Sequence, residues 1–212
     1  MSGADDPLPP PDGEVVTRAD DGRVTARSVF RGGELDGPAV SYGEAGDVVQ
    51  EARFAAGKLH GEMVMYHEGK RKMSVDFVHG ERHGWVTMYD GDGRVSARLP
   101  YVAGSMTGVA EFHADGARMR TVTYLDGVED GEQRDFHPTG EPRERRWLVA
   151  GKTEGEVVAW HRNGEVHSRQ HFRAGKPLGP PELYDDRGRR LPAAKDELPR
   201  WKKMVLKIAK KG

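Results

Sequence analysis

The sequence of 212 residues contains no cysteine, which excludes disulfide bonds, thiolate metal ligands and cysteine nucleophiles. It has no apolar run near the roughly 18–20 residues of a membrane-spanning helix. Its first residues, MSGADDPLPPPDG, lack the basic and apolar regions of a secretory signal, so we expect a cytoplasmic protein. Hydrophobic residues make up 36% of the chain, a low share for a compact globule, yet the aromatic residues are too regularly placed for disorder.

Glycine, in contrast, is abundant at 28 residues, and it is periodic. A first glycine recurs every 23 or 24 residues, a second follows four residues later, and a third comes eight or nine residues after the second. This spacing gives seven repeats plus a half repeat at the N-terminal side, over residues 13–190. The first glycines are Gly33, Gly57, Gly80, Gly104, Gly127, Gly151 and Gly175, and the second are Gly37, Gly61, Gly84, Gly108, Gly131, Gly155 and Gly179.

Two series of mostly aromatic residues follow the same period. The first series precedes the first glycine and consists of Phe30, Phe54, Phe77, Tyr101, Tyr124, Leu148 and Phe172. The second series precedes the third glycine and consists of Tyr42, Tyr66, Tyr89, Phe112, Phe136, Trp160 and Tyr184. We expect each series to form a ladder along a sheet, because equivalent residues of neighbouring repeats would pack on one another.

The segments between the glycines have strand compositions, such as EMVMY at 62–66, and DG or NG turn signals separate them. Each repeat therefore predicts a β-hairpin, with the Gly-x-x-x-Gly segment joining one hairpin to the next. In the strand RVSARLPY from Arg94, alternation predicts one shared face for Val95, Ala97, Leu99 and Tyr101. The predicted fold is an all-β repeat protein, an elongated, twisted, single-layer antiparallel meander of about fourteen to sixteen strands.

The two ends differ from the repeats in composition. Residues 1–12 are acidic and proline-rich, and we expect them to be flexible. Residues 191–212 include Leu198, Trp201, Val205, Leu206 and Ile208 on roughly one helical face, which predicts a basic amphipathic helix at about residues 200–211 that caps the last hairpin. Residues 195–211 carry seven Lys or Arg and two Asp or Glu, so this helix could instead contact an anionic membrane.

The repeat units resemble MORN repeats, in particular their bacterial variant form. The units are GKLHGEMVMYHEGKRKMSVDF, GERHGWVTMYDGDGRVSARLPY and GKTEGEVVAWHRNGEVHSRQHF, against a family pattern close to GKxxGxxxxYxxNGK. Lys58, Lys152, Lys176 and Asn163 match family positions beside glycines. The resemblance implies a β-hairpin fold and a role in protein–protein scaffolding or phospholipid binding; in bacteria it implies an antitoxin or immunity protein that neutralises a toxin.

The sequence contains no arrangement of residues that favours an enzyme. Strands rather than a helix follow the glycines, and the GxxxxGK[ST] phosphate-binding pattern is absent. His67, His113, His137 and His161 share one repeat position, which spaces them roughly 9–10 Å apart on a sheet, too far for a shared metal ion. The Asp and Glu residues occupy mainly turn positions. We therefore expect no catalytic residues, no cofactor and no metal. The PRERR run at 142–146 could be a local interaction site or an exposed edge.

The leading prediction is a non-enzymatic scaffold that binds another protein on its extended β-surface, with a toxin as the most specific candidate partner and no nucleic acid expected. Its candidate contact residues are Tyr66, Tyr89, Phe112, Phe136, Trp160 and Tyr184. The alternative is a peripheral membrane protein that binds phospholipid through its basic C-terminal residues. The candidates there are Arg200, Lys202, Lys203, Lys207, Lys210 and Lys211. A self-assembling structural ribbon is a third alternative, and the sequence leaves the partner, the binding face and the oligomeric state open.

Overall fold

The computed structural model describes residues 10–192 and folds them into one open antiparallel sheet of 18 strands. Strands that follow one another in the chain pair with one another, which confirms the all-β hairpin-repeat meander. The two-residue strands β5, β10 and β17 precede β6, β11 and β18, which pair with the same neighbouring strands. The predicted C-terminal helix and all but the end of the predicted N-terminal segment lie outside the described residues. No helix long and apolar enough to cross a membrane occurs in residues 10–192.

The strands have the following bounds: β1 Gly13–Arg18, β2 Val24–Arg31, β3 Glu34–Tyr42, β4 Val48–Ala55, β5 Lys58–Leu59, β6 Gly61–His67, β7 Lys70–Val78, β8 Glu81–Tyr89, β9 Val95–Val102, β10 Ser105–Met106, β11 Gly108–Ala114, β12 Ala117–Leu125, β13 Val128–Phe136, β14 Pro142–Val149, β15 Lys152–Trp160, β16 Val166–Arg173, β17 Lys176–Pro177 and β18 Glu182–Leu183.

Two kinds of turn alternate along the meander. The first glycine of each repeat belongs to a two-residue turn, here called the link turn, in which both residues have positive φ, as in Ala103 (46°) and Gly104 (82°). This geometry matches the right-handed twist of the strands that it joins. The third glycine usually closes a four-residue turn, and Gly69 instead closes a two-residue turn after Glu68. The predicted place of Gly69 in a hairpin turn is therefore confirmed.

In four of the seven repeats the second glycine lies inside a strand, which corrects the predicted Gly-x-x-x-Gly connection between hairpins; these glycines are Gly37, Gly84, Gly131 and Gly155. Gly84 lies within β8 with a φ of 113°, beside a register shift between Val75 and Phe77 of β7. Residues with a side chain rarely adopt such a φ, so the glycine allows an irregularity in the strand pairing. The spacing of four residues would be the same whether the second glycine formed a turn or a bulge, so the sequence pattern did not distinguish the two.

The side chains lie on two faces of the sheet, here called face A and face B. Residues paired across neighbouring strands share a face, and consecutive residues of one strand alternate between the two faces. Face B carries the first aromatic series, in which each ring from Phe54 onward is directly opposite a second glycine, as Phe77 is opposite Gly61. Face A carries Tyr66 and Tyr89. Val95 is an exception to the predicted alternation, since a register shift places it opposite Tyr89, away from the face of Ala97.

The core is a stripe of small and aliphatic residues in the middle of the strands. Seven buried apolar residues lie on face B and three on face A, and each is at most 7% exposed. A core of this kind needs few hydrophobic residues because each repeat contributes only one or two of them. The face B residues are Ala52, Val75, Val86, Ala97, Ala110, Val122 and Leu148, and the face A residues are Val64, Phe136 and Val158.

Hydrogen bonds from each link turn to the strand that follows the previous link turn connect neighbouring repeats at one end of the strands. Gly104 donates its backbone N–H to the carbonyl of Arg82 at 2.9 Å, and five other link turns make the same bond. The side chain before the second glycine often binds the same turn, as Asp130 does by accepting from the N–H of Ala150 at 3.0 Å. These bonds satisfy backbone groups that tight turns leave unpaired, and they fix the spacing between repeats.

Candidate functional site

Five of the six predicted contact aromatics lie on face A, and Phe112 does not. Thr87 and Tyr89 share face A on one strand, Thr87 pairs with Arg98, and Arg98 pairs with Glu111. Glu111 is therefore on face A and its neighbour Phe112 is on face B. The physical reason is a deletion, because Phe112 comes four residues after its second glycine whereas the other five come five residues after theirs. A shift of one residue moves a side chain to the opposite face.

The five remaining aromatics lie near the third-glycine turns and are largely covered. Phe136 is only 6% exposed, and the guanidinium of Arg118 lies 4.6 Å from its ring centre. The hydroxyl of Tyr66 donates to Glu51 at 2.7 Å, and this hydrogen bond raises the pKa of Tyr66 above its ordinary value. These side chains mainly stabilise the sheet, so they offer less surface to a partner than the sequence predicted.

A different set of face A side chains is both apolar and exposed, and the sequence reasoning missed it. Eight large apolar residues from β7 to β14, here called the apolar band, are between 39% and 54% exposed. They lie at the opposite end of the strands from the second aromatic series, close to the link turns. The apolar band consists of Val78, Trp85, Val102, Val109, Leu125, Val128, Trp147 and Val149.

Two repeat positions supply most of the apolar band, and this could have been read from the sequence. Trp85 and Val109 directly follow a second glycine, where other repeats have Glu62 or Glu156. Val78, Val102, Leu125 and Val149 precede the first glycine by two residues, where other repeats have Arg31, Ala55 or Arg173. The signal was therefore an apolar residue at positions that are charged or small elsewhere in the repeat array.

Arginines lie beside the apolar band on the same face. One row of paired positions, here called the central row, contains Thr87, Arg98, Glu111, Thr121, Arg134 and Arg145. The next row toward the link turns contains the pairs Trp85–Pro100, Val109–Thr123 and Glu132–Trp147. The guanidinium of Arg98 reaches back over the ring of Trp85, 5.9 Å from its centre. The two rows together place Trp85, Val109 and Trp147 beside the arginines of the central row, with Glu132 directly opposite Trp147.

Arg134 and Arg145 lie directly opposite one another on neighbouring strands. Like charges in this position destabilise a sheet. Arg134 has a carboxylate partner, Glu132, at 2.6 Å, whereas within residues 10–192 Arg145 has no carboxylate within 4.0 Å. The structure thus shows that the PRERR run places Arg145 on face A, two residues from Trp147 of the apolar band.

The charges at the N-terminal end of face A are arranged differently. A depression of about 340 Å³ there is lined by Pro38, Ala39 and Val40 of β3 and by charged residues of β4, β6 and β7. Glu62 lies 3.7 Å from Arg71, and Glu51 accepts from Tyr66. Glu51, Glu62 and Arg71 of this depression are therefore paired within the chain, whereas Arg53, like Arg145, has no carboxylate within 4.0 Å among residues 10–192.

The histidines and the basic C-terminal residues contribute no further site to the described part of the chain. Among residues 10–192, no three His, Cys, Asp or Glu side chains are grouped closely enough to hold a metal ion. His161 lies at the start of a four-residue turn, where its Nε2 is 3.0 Å from the carbonyl oxygen of Tyr184. The candidate membrane contacts Arg200, Lys202, Lys203, Lys207, Lys210 and Lys211 lie outside the described residues.

Comparisons with known proteins give no assignment. No protein-family model and no curated protein matches the chain. Among solved structures, it is similar to a point mutant of S. aureus TarM in complex with fondaparinux, alpha-GlcNAc-glycerol and UDP. The identity is 13% and the TM-score 0.34, over 44% of this chain and 19% of that one. A second TarM structure gives 14% identity and a TM-score of 0.32, over 42% and 18%. The chain thus matches less than a fifth of either structure, and likeness of this size carries no argument about fold or function.

Proposed function

We propose that the protein is a non-enzymatic scaffold that binds another protein on face A between β7 and β14. The observation that carries the proposal is the apolar band, eight large side chains on one face that are each at least 39% exposed. Contiguous exposed apolar surface is uncommon on soluble proteins and often marks a binding site. Trp85 and Trp147 near the two ends of the band suit this role, because tryptophan is enriched among residues that dominate binding energy.

The resemblance of the repeats to MORN repeats supports the same proposal. That resemblance implies scaffolding, and in bacteria an antitoxin or immunity role, so we propose a toxin as the specific form of the partner. The extended sheet offers a long surface on which a second chain can be held without an enclosed pocket. This form of the proposal depends on the repeat pattern, whereas the binding face depends on the apolar band.

Site-specific photocrosslinking in the native cell tests the binding face. A photoreactive residue replaces Val109 on face A in one variant and Met88 on face B in a matched control, since both side chains are similarly exposed (47% and 43%). We expect one discrete protein to crosslink at position 109 and not at position 88. The purified partner should then bind at least tenfold more weakly to a Trp85→Ser, Trp147→Ser double variant.

Equal crosslinking at both positions, or none at position 109, would contradict the proposed face. The membrane alternative makes a different prediction, because it depends on the net positive charge of residues 195–211. If the protein floats with anionic liposomes, and deletion of residues 195–212 abolishes flotation while the apolar band is dispensable, the peripheral membrane function replaces the scaffold.

A further inference from the structure

We infer that the segment bound by face A is acidic as well as apolar, and that one of its carboxylates lies between Arg134 and Arg145 beside Trp147. This inference rests on the proposed scaffold function and adds the chemistry of the partner. Its starting point is the unfavourable pair of arginines, which the described chain does not neutralise at Arg145. Three observations indicate the chemistry of the bound segment.

The first observation is the charge of the central row. Between β8 and β14 this row holds three arginines and one glutamate, Glu111. Glu111 lies 4.0 Å from Arg118, which is outside the row, and it forms no ion pair with Arg98 in the described chain. The row therefore has an excess of positive charge next to the apolar band. A ligand that fits both rows has carboxylates beside aliphatic or aromatic groups.

The second observation is the contrast with two arginines of the same face, Arg169 and Arg27, which do not lie opposite another arginine. Arg169 lies opposite Glu182 in register and binds Glu156 at 3.2 Å. Arg27 similarly has Glu14 at 3.3 Å. Arg145 lies between Arg134 on one side and Val158 on the other. An external carboxylate that accepts hydrogen bonds from both guanidinium groups would remove the repulsion between them, and Arg suits such planar recognition.

The third observation is the direction of the two rows, which run across the strands. From β8 to β14 they cross five strand spacings, about 24 Å, so a bound segment of about seven extended residues would cover them. Neighbouring strands of a sheet rotate on average by about 20–25°, and a protein segment can follow such a twist more readily than a flat bilayer can. A second copy of this chain would bring arginine rows together, which disfavours face-to-face self-association.

A phage-displayed library of random 12-residue peptides, selected against the full chain, tests the inference. We expect enriched peptides to combine Asp or Glu with Leu, Ile, Val or aromatic residues. Measured by fluorescence anisotropy with synthetic peptides, Arg145→Glu and Trp147→Ser should each weaken binding at least tenfold. The control Arg162→Glu makes the same change of charge in an exposed turn and should alter affinity less than twofold. The urea midpoint of Arg145→Glu should equal or exceed that of wild type, because the substitution removes the repulsion between Arg134 and Arg145.

The outcomes separate this inference from the proposed function. Enriched peptides that lack carboxylates but still need Trp147 would overturn the acidic partner and leave the scaffold standing. Peptides insensitive to every face A substitution would overturn both. Binding to vesicles of phosphatidylcholine with phosphatidylserine that needs Arg145 and Trp147, without peptide binding, would assign the surface to a membrane instead. A molecular mass that rises with concentration and falls on Trp147→Ser would assign it to a second copy.

Discussion

Replacement of Gly84 by alanine should destabilise the protein more than almost any other single-methyl addition. Gly84 has a φ of 113° inside β8, a region that is essentially restricted to glycine. An added Cβ would lie 2.7 Å from Oδ2 and 2.8 Å from Cβ of Asp76 on the preceding strand. Rotation of the Asp76 carboxylate would not remove the second contact, so the backbone has to move.

The expected magnitude follows from two costs and one gain. The unfavourable φ costs about 1–3 kcal/mol, and the overpacking against Asp76 costs about 1–3 kcal/mol. Alanine loses less conformational entropy on folding than glycine does, which offsets about 0.4–1 kcal/mol of these costs. Displacement of Asp76 also weakens its hydrogen bond with the N–H of Trp85, which is 2.9 Å long. The free energy of unfolding should therefore fall by about 2–5 kcal/mol, against a total of about 5–15 kcal/mol for a typical domain.

Urea unfolding followed by tryptophan fluorescence measures this loss, and Gly91→Ala is the matched control. Gly91 lies in the turn that follows β8, its φ is outside the positive range, and an added Cβ there meets nothing within 4 Å. We expect Gly91→Ala to change the free energy of unfolding by less than about 0.5 kcal/mol. The reasoning would be refuted if Gly84→Ala unfolded within that margin of wild type with an unchanged denaturant slope.

Three further predictions concern the link turns and one partly buried tyrosine, Tyr124. Ala103→Asn should raise the free energy of unfolding by about 0.5 kcal/mol, because asparagine tolerates the φ of 46° better than alanine does. A urea midpoint below that of wild type would contradict this prediction. Asp130→Ala should lower it by about 1 kcal/mol through loss of the hydrogen bond to Ala150, and an unchanged urea midpoint would count against that bond. Burial, followed by the charge of Glu129, raises the pKa of Tyr124 above 10.0. Its contribution to stability should be complete below pH 10 and should decline as the pH rises through the folded-state pKa. Difference absorbance against Tyr124→Phe measures that pKa, and a normal value would refute the assignment.

The repeat spacing was sufficient to predict the meander but not the role of each glycine. Hairpin repeats of 23 or 24 residues leave no room for a crossover helix, so antiparallel pairing of consecutive strands followed directly. The first and third glycines were correctly placed in turns. The second glycine was not, because turns and bulges both require positive φ, and the sequence records only the residue type and not the φ that it adopts. Gly84 and Gly131, with φ of 113° and 120°, show that the strand continues through this position.

The candidate site was harder to predict because it depends on which face each residue occupies. Counting from the third glycine aligned Phe112 with Tyr89, whereas counting from the second glycine would have revealed the missing residue. The sequence also favoured aromatic ladders as contact surfaces because they are periodic. In the structure Phe136 of that series is 6% exposed and Trp147, which belongs to no series, is 52% exposed. Periodic residues are those that every repeat needs for packing, so periodicity indicates the core better than it indicates a binding site.

A binding function in this array should be sought at the positions that packing between repeats leaves free to vary. The link turns, the second glycines and the face B rings recur because neighbouring repeats cannot pair without them, which leaves them little freedom to vary with a partner. The position after the second glycine is free of that constraint, and it changes from Glu62 to Trp85 and Val109 and back to Glu132 and Glu156 along the chain. Arg145 is equally irregular, since it lies opposite Arg134 rather than an acid. The departures from the repeat coincide on one face between β7 and β15, and that coincidence is the physical basis for placing the partner there.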